Sequence, residues 1–318
     1  MKMTNLKKSF ALFLAAVIWG MAFVAQSEGS KYLGPFTFNS VRFLLGTVTL
    51  IPVIFVSEII KKRRPSTDAS FAAEPTTSKT MGTKTEVKEE FLNKETLIGG
   101  ILCGVVLSMA NGTQQIGLEF TTPGKAGFIT ACYIILVPIF GIFLKRKCNF
   151  LVWLSVVLSV CGLALLCLTE ELTIGKGDLI VFVCAILFAI HILVIDHFGE
   201  NADSVKMSCI QFGVAGIVSA ILMLIFENPD MTYICKAWLP LVYTGVCSSG
   251  IAFTLQIIGQ KDMNPTVASI IMSLESVVSV VAGFIILHQK LSARELWGCM
   301  VMFVAIILVQ LPVKQKER

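Results

Sequence analysis

Residues 271–287 read IMSLESVVSVVAGFIIL, seventeen positions that are apolar or small apart from one carboxylate, Glu275. The company this run keeps decides the fold. Nine more runs of similar character lie around it, so that the apolar segments fall at roughly 9–27, 35–57, 96–118, 123–144, 150–168, 177–196, 206–226, 236–259, 264–287 and 292–312. A helix crossing a bilayer needs about 20 mostly apolar residues. The whole chain of 318 residues is 55% hydrophobic and 15% charged, whereas soluble domains carry about 25% charge. The pattern predicts an all-α integral membrane protein of ten helices. The N-terminal MKMTNLKK and the apolar run that follows could pass for a signal peptide, but the run continues to about Ala25 without a small-residue cleavage site and is read as helix 1.

Charge marks the gaps. The stretch 58–95 holds 15 of the 47 charged residues and has no apolar periodicity, which predicts a disordered cytoplasmic loop. If the N-terminus is inside, the inner segments carry 19 Lys and Arg and the outer ones six, with Arg42 left within helix 2. Basic residues collect on the cytoplasmic side, so both termini are expected there, in a bacterial cytoplasmic membrane. The net charge of +5 then reflects topology and gives no reason to expect nucleic acid. Ten scattered cysteines without a C-x-x-C pair or a His/Cys cluster predict no metal site and no disulfide framework.

The chain also repeats itself. ACYIILVPIFG (131–141) aligns with SLESVVSVVAG (273–283), and TQQIGLEF (113–120) with TLQIIGQK (254–261). Gln115 meets Gln256, and a one-residue gap then sets Pro123 on Pro265, Tyr133 on Glu275 and Gly141 on Gly283. Upstream, AVIWGMAFVAQ (16–26) lies over AILFAIHILVI (185–195), pairing Trp19 with Phe188 and Ala22 with His191; in the same register Arg42–Phe43 meets Gln211–Phe212. Five helices are an odd number, so two such units in series cross the membrane in opposite directions. This is the inverted repeat of many secondary transporters, whose sites lie near the midplane between the halves. The expected units are 1–57 with 96–168 (helices 1–5) and 177–312 (helices 6–10), with 58–95 between.

Four stretches carry a resemblance: IWGMAFV (18–24), PFTFNSVRFLLG (35–46), QQIGLEFTTPGKAGFI (114–129) and PTVASIIMSLESVVSVVAGFIIL (265–287). Together they make the chain resemble the drug/metabolite transporter superfamily, in particular proteins with two EamA-type domains. The resemblance spans nearly everything outside 58–95. It fails at His288–Gln289–Lys290, where relatives often have Gly-Glu. It implies a secondary transporter for a small organic metabolite (amino-acid-like, nucleobase-like or drug-like), in many relatives an exporter, with helices 5 and 10 at the periphery.

Candidate residues follow from depth and spacing. Glu275 is near the middle of its helix, where an ionised carboxylate facing lipid would cost at least about 2.5–3.5 kcal/mol. It is read as a proton or cation site or a contact for an amine-bearing solute, against a protonated, hydrogen-bonded glutamate. Ala268, Met272, Glu275, Ser279 and Ala282 share its helix face, and Ala126, Thr130, Tyr133 and Val137 form the corresponding face of helix 4. The substrate-binding candidates are Trp19, Gln115, Tyr133, His191, Gln256 and Glu275, all expected to face a central polar space lined by helices 1, 3, 4, 6, 8 and 9. Gln115 and Gln256 stand out because the two halves agree on them and an amide both donates and accepts. Arg42 joins Glu275 as a charge-coupling candidate, a counter-charge for an anionic solute or for Glu275; snorkelling to the interface or structural pairing is its competing role. Asp196 and His197 mark the water interface. Pro52 and Pro138, inside their helices, are expected as kinks. The expected partners are a small-molecule solute, the lipid bilayer, a coupling proton or cation and a second copy in a homodimer; no cofactor is expected.

Two other classes compete. An intramembrane enzyme would have to use His191, Asp196 and Glu275, but the chain has no H-E-x-x-H and no G-x-S-x-G. A receptor or scaffold has no need of polar faces in both halves. ATP drive would need a G-x-x-x-x-G-K-[ST] loop, which is absent. The topology has a direct check: in a background without native reactive thiols, Thr80→Cys should resist an impermeant thiol reagent on intact cells and label after permeabilisation, and strong labelling of intact cells would overturn the orientation.

Overall fold

Hydrocarbon offers backbone N–H and C=O groups no water, so a crossing segment must close its hydrogen bonds within itself. The computed structural model describes residues 3–63, 93–121, 123–145, 149–167, 175–286 and 292–311, and every element among them is helical. Helix 1 is Met3–Gly29, helix 2 Pro35–Arg63, helix 3 Lys94–Leu118 and helix 5 Phe150–Cys167. Helix 6 is Lys176–Gly199, helix 7 Ser204–Phe226 and helix 10 Ala293–Gln310. Helix 4 has two segments, Pro123–Ala131 and Tyr133–Phe143, and so has helix 9, Pro265–Met272 and Leu274–Ile286. Helix 8 runs through Trp238–Val242, a π-helical stretch Tyr243–Phe253, and Thr254–Gln260. A short helix, Met231–Lys236, precedes it. Among the described residues nine helices are long and apolar enough to cross a membrane, and helix 5 adds a shorter apolar one, Phe150–Leu165.

Local chemistry sets the ends. Asn93, Asp203 and Asn264 accept hydrogen bonds from the first free N–H groups of helices 3, 7 and 9, and Ser292 and Glu295 form a capping box at helix 10. Pro265 sits at the first position of helix 9, where its missing N–H matters least. Helix 2 continues past the expected end at residue 57 to Arg63 and runs unbroken through Pro52. The rest of the expected 58–95 loop, 64–92, lies outside the described residues, as do Arg146–Lys147 and His288–Gln289–Lys290. The break in helix 4 falls at Cys132, six residues before Pro138, so Pro138 is not the breaking point.

The packing has the symmetry of the repeat. Helix 3 lies along helix 6, and helix 8 lies along helix 1; helix 4 packs on helix 6, and helix 9 on helix 1. Helices 2 and 7 pair with each other, as do helices 5 and 10. Each of these cross-half contacts thus has its counterpart under exchange of the two five-helix units. Large apolar side chains face outward along the helices, among them Phe55, Phe143 and Leu224 at 65%, 80% and 74% exposure. A soluble protein seldom leaves so much apolar surface uncovered; here the acyl chains cover it. Helices 1 and 9 touch at Gly20, where a Cβ would stand 2.5 Å from Val278 Cβ and 2.7 Å from the Glu275 carbonyl oxygen. Only a residue without a side chain allows that approach, as small residues do between membrane helices.

Each face of the bundle is clasped twice across the halves. On the face where helix 1 begins and helix 10 ends, Lys206 Nζ is 2.7 Å from Glu58 Oε1, and Lys8 Nζ is 2.8 Å from Asp262 Oδ2. The hydrogen bond and the charge of Lys8 hold the Asp262 carboxyl below its ordinary value, so this clasp is intact at neutral pH and is lost as pH falls through that titration. On the other face Glu227 accepts from Phe36 N, Thr37 N and Thr37 Oγ1 at 2.8, 2.8 and 2.6 Å, and Thr121 Oγ1 donates to Asp178 Oδ1 at 2.5 Å. The register that sets Trp19 on Phe188 also sets Thr37 on Lys206 and Glu58 on Glu227. The helix 2–helix 7 clasps are therefore one contact used twice, as an ion pair on one face and as a helix N-terminal clamp on the other.

Glu227 closes three donors at the start of helix 2, and hydrogen bonds to a charged group are worth about 1.5–3 kcal/mol each, less where water competes. Glu227→Ala should lower the thermal midpoint of the purified protein in detergent by several degrees, with Glu227→Gln, which keeps one accepting oxygen, in between. Unchanged midpoints for both would remove the clamp from the stability of the fold.

Candidate functional site

Between the halves lies a cavity with about 540 Å³ of empty space, in part open to the surroundings. Trp19, Phe23 and Gln26 line it from helix 1, Arg42 from helix 2, and Asn111 and Gln114 from helix 3. Helix 4 adds Thr130 and Tyr133, and helix 6 Phe188 and Ile192. Ser248, Phe253 and Gln256 come from helix 8, and Met272 and Glu275 from helix 9. Helices 5 and 10 contribute none of these lining residues.

Glu275 and Tyr133 meet here. Tyr133 Oη donates to Glu275 Oε1 at 3.1 Å, and both side chains are buried. The two residues hold corresponding places in the two repeats, so the contact lies close to the pseudo-twofold axis that exchanges them. Each follows a helix break. The backbone at Cys132 has ψ −12° and at Ser273 ψ −10°, and three-residue turns, Ile135 N to Cys132 O at 2.9 Å and Ser276 N to Ser273 O at 3.1 Å, stand beside the four-residue bonds Leu136 N to Cys132 O at 3.2 Å and Ser273 N to Ser269 O at 3.0 Å. Trp19 forms part of the wall, its Nε1 donating to the Ser248 carbonyl at 3.3 Å and its ring meeting Phe253 edge-on at 4.7 Å. Ser248 lies in the π-helical stretch, a ladder geometry that frees carbonyls for such contacts.

Arg42 occupies the end of the cavity nearer the helix 1–helix 2 connection. Its Nη1 donates to Gln26 Oε1 at 3.0 Å and its Nη2 to Asn111 Oδ1 at 2.7 Å. Asn111 is itself oriented by donating to Leu107 O at 3.0 Å. The guanidinium carbon stands 4.6 Å from the centre of the Phe43 ring. Snorkelling is thereby corrected: the side chain turns into the protein, where two amides receive it, and is 2% exposed.

Of the six expected binding residues, Trp19, Tyr133, Gln256 and Glu275 line the cavity. Gln115 does not; its Nε2 donates to Ser30 Oγ near the end of helix 1, and its neighbour Gln114 takes the lining position, donating to Thr130 Oγ1 at 3.3 Å. A helix turns about 100° per residue, so the adjacent amide faces elsewhere. His191 is also absent from the wall: fully buried, its Nε2 lies 3.1 Å from Gln211 Oε1, and its ring packs edge-on against Phe253 at 5.9 Å. The six helices expected around the space are joined by helix 2 through Arg42. Arg42 and Glu275 form no ion pair with each other. Phe23, Phe253 and Ser248 went unread, because single aromatic and hydroxyl residues in an apolar run carry no signal of which way they face.

Comparison with known proteins adds what geometry alone does not. The chain is 24% identical over 97% of its length to an uncharacterized transporter of Archaeoglobus fulgidus, covering 87% of that protein. It is 20% identical to the uncharacterized transporter YoaV of Bacillus subtilis, over 95% of this chain and 96% of that one. A solved crystal structure superposes with a TM-score of 0.74 over 95% of this chain and 96% of its own, at 15% identity, and supports the fold. The model of the EamA-like transporter family matches twice, at residues 6–168 and 175–311. With two such repeats covering nearly the whole described chain, this multi-pass membrane protein belongs to the EamA-like transporter family.

Proposed function

We propose that the chain carries a small organic solute across the bacterial cytoplasmic membrane by alternating access, with both termini in the cytoplasm. The observation that carries this reading is the Tyr133–Glu275 hydrogen bond at 3.1 Å, made in a cavity between two inverted halves, at the joint of two segmented helices. A site shared by both halves can face either side of the membrane as one half rocks on the other. The 19-to-six imbalance of basic residues supports the orientation.

Glu275 is the coupling residue in this reading, and Trp19, Tyr133 and Gln256 contact the solute with it. A proton or the solute's own cationic group satisfies the carboxylate as it changes sides, because carrying it uncompensated through hydrocarbon depth is costly. The charged and titratable groups around it are Tyr133, its hydrogen-bond partner, the buried Cys184 of helix 6, and Arg42 farther along the cavity.

Purified protein in proteoliposomes should therefore show concentrative, pH-dependent solute flux. Glu275→Gln keeps size and one carbonyl acceptor but cannot ionise. It should insert and purify as the parent does, lose its pH-dependent concentrative flux by about tenfold or more, as the loss of one charge-assisted contact implies, and retain passive exchange. Native flux with an unchanged pH profile would reduce Glu275 to interhelical glue.

A further inference from the structure

His191 and Gln211 take no part in the cavity wall, and their own contact leaves both of them half used. Both are fully buried, and His191 Nε2 stands 3.1 Å from Gln211 Oε1. That contact engages one ring nitrogen and one end of the amide. His191 Nδ1 and Gln211 Nε2 have no hydrogen-bond partner among the described residues. Exchanging the ring tautomer or turning the amide over changes which atoms are left open, but two remain open either way. Buried polar groups are ordinarily bonded.

The open groups continue toward one face. Ser208 precedes Gln211 by one turn on the same side of helix 7, and its Oγ has no partner. On helix 8, Gln256 of the cavity wall is followed one turn later by Gln260, whose Nε2 donates to Ile192 O at 3.3 Å, next to His191 in the chain. The Oε1 atoms of Gln256 and Gln260 are both open. These five side chains are at most 2% exposed. Beyond them lie the Lys206–Glu58 and Lys8–Asp262 clasps, on the face where helix 1 begins.

Phe253 separates this series from the cavity. Its ring belongs to the cavity wall, where it meets Trp19 at 4.7 Å, and it packs on His191 and on Phe212, each at 5.9 Å. An apolar constriction closes a polar path by excluding water.

The other half carries open atoms too, on Asn39 and Gln115, the counterparts of Ser208 and Gln256. It differs in the middle. Ala22 stands where the second half has His191, and Arg42 where it has Gln211. Two amides fix that guanidinium in place, and a fixed arginine is the kind of barrier that keeps protons out of a pore.

We propose that the His191–Gln211 pair is a proton station between Glu275 and the face where helix 1 begins, with Phe253 as its gate and Arg42 as the barrier that closes the corresponding route through the other half. The ligand of this second site is water and the proton it carries. When the Phe253 ring turns aside, protonated Glu275 gives its proton through water to His191 Nδ1. Glu275 becomes a carboxylate, and the imidazolium keeps its Nε2–H on Gln211 Oε1. The same proton then leaves Nδ1 for water held by Ser208 and Gln260, and the ring is neutral again. The buried titratable groups on the elements around helix 6 are Cys103 on helix 3, Tyr133 on helix 4 and Glu275 on helix 9, with Cys184 and Asp196 on helix 6 itself; Lys206 of helix 7 is drawn to Glu58. The assignment rests on the coupling role given to Glu275.

The probe is the proton itself. Purified full-length protein in liposomes loaded with a pH dye is driven by a potassium diffusion potential, with no solute present. Phe253→Ala should pass protons about tenfold faster than the parent or more, as an opened apolar constriction does, and Phe253→Leu should not. His191→Gln, which keeps a hydrogen-bonding group in the chain beside Gln211 but holds no proton, should return Phe253→Ala to the parent rate. A Phe253→Ala rate equal to the parent's, or a leak that survives His191→Gln, would overturn the assignment. The parent alone gives a second reading that needs no variant to fold. Deuterium exchange at the imidazole C2, read by mass spectrometry, should reach His191 on the time scale of the exposed His197, and a His191 left unlabelled after His197 has exchanged would equally overturn the station. Solute flux separates the two readings. Loss of pH-dependent flux in Glu275→Gln with none in His191→Gln leaves transport standing and discards the station, whereas a leak that opens and closes as described, in a parent that moves no solute, keeps the station and discards transport.

Discussion

Five membrane crossings end on the face opposite to the one where they began, so a second five-helix unit in the same chain must run upside down. This parity governs the rest of the structure. It brings helix 3 to helix 6 and helix 8 to helix 1 as one contact seen from two directions. It also places the same pair of helix ends on opposite faces. Glu58 meets Lys206 on one face and Glu227 meets Thr37 on the other, so helices 2 and 7 are pinned at both ends. Helices 4 and 9, by contrast, each divide at a single turn residue, Cys132 and Ser273.

Symmetry of backbone does not bring symmetry of chemistry. The positions that correspond across the repeat carry different groups: Tyr133 against Glu275, Arg42 against Gln211, Ala22 against His191. The acid comes from the second half and the base from the first. A cavity lined by two like halves would present two like charges, which repel and are costly to bury. The unlike decoration gives instead a negative group near mid-membrane and a positive group toward one end, with Trp19, Phe188 and Phe253 between helices 1, 6 and 8. The corresponding His191 and Gln211 lie within hydrogen-bond distance of each other in the second half, and neither carries the guanidinium's charge, so the charged end of the cavity belongs to one side alone.

Much of this could be read in the residues before any coordinates. Apolar length gave the ten helices, because the bilayer imposes a length and nothing else in the chain competes with it. The repeat set Tyr133 on Glu275, and they are found in contact. Boundaries were less legible: the charges that begin at Glu58 look like the start of a loop, yet helix 2 runs on to Arg63, since a charge near a helix end is no barrier to the helical backbone. Side-chain direction was the least legible. Gln114 and Gln115 differ by one position and by about 100° of rotation, and only packing against Ser30 and Thr130 decides which faces the cavity. Arg42 failed for a related reason. Depth alone allows it to snorkel, and the two amides that draw it inward, Gln26 and Asn111, lie 16 and 69 residues away in the chain.

The two breaks bear on how a proton or a solute at the centre could be felt at the faces. An unbroken helix resists bending because each turn is tied to the next; at Cys132 and Ser273 three-residue turns, whose hydrogen-bond geometry is poorer, mix with the four-residue ladder. Tyr133 and Glu275 stand one and two residues beyond these joints, so the hydrogen bond between them links the second segment of helix 4 to the second segment of helix 9. An ionised Glu275 accepts from Tyr133; a protonated one carries a donor of its own and no longer needs that hydroxyl, and a bound amine competes for the same oxygens. Either event acts on the contact that Tyr133 and Glu275 make between these two segments, and Gly20 of helix 1 lies against the same segment of helix 9 that carries Glu275.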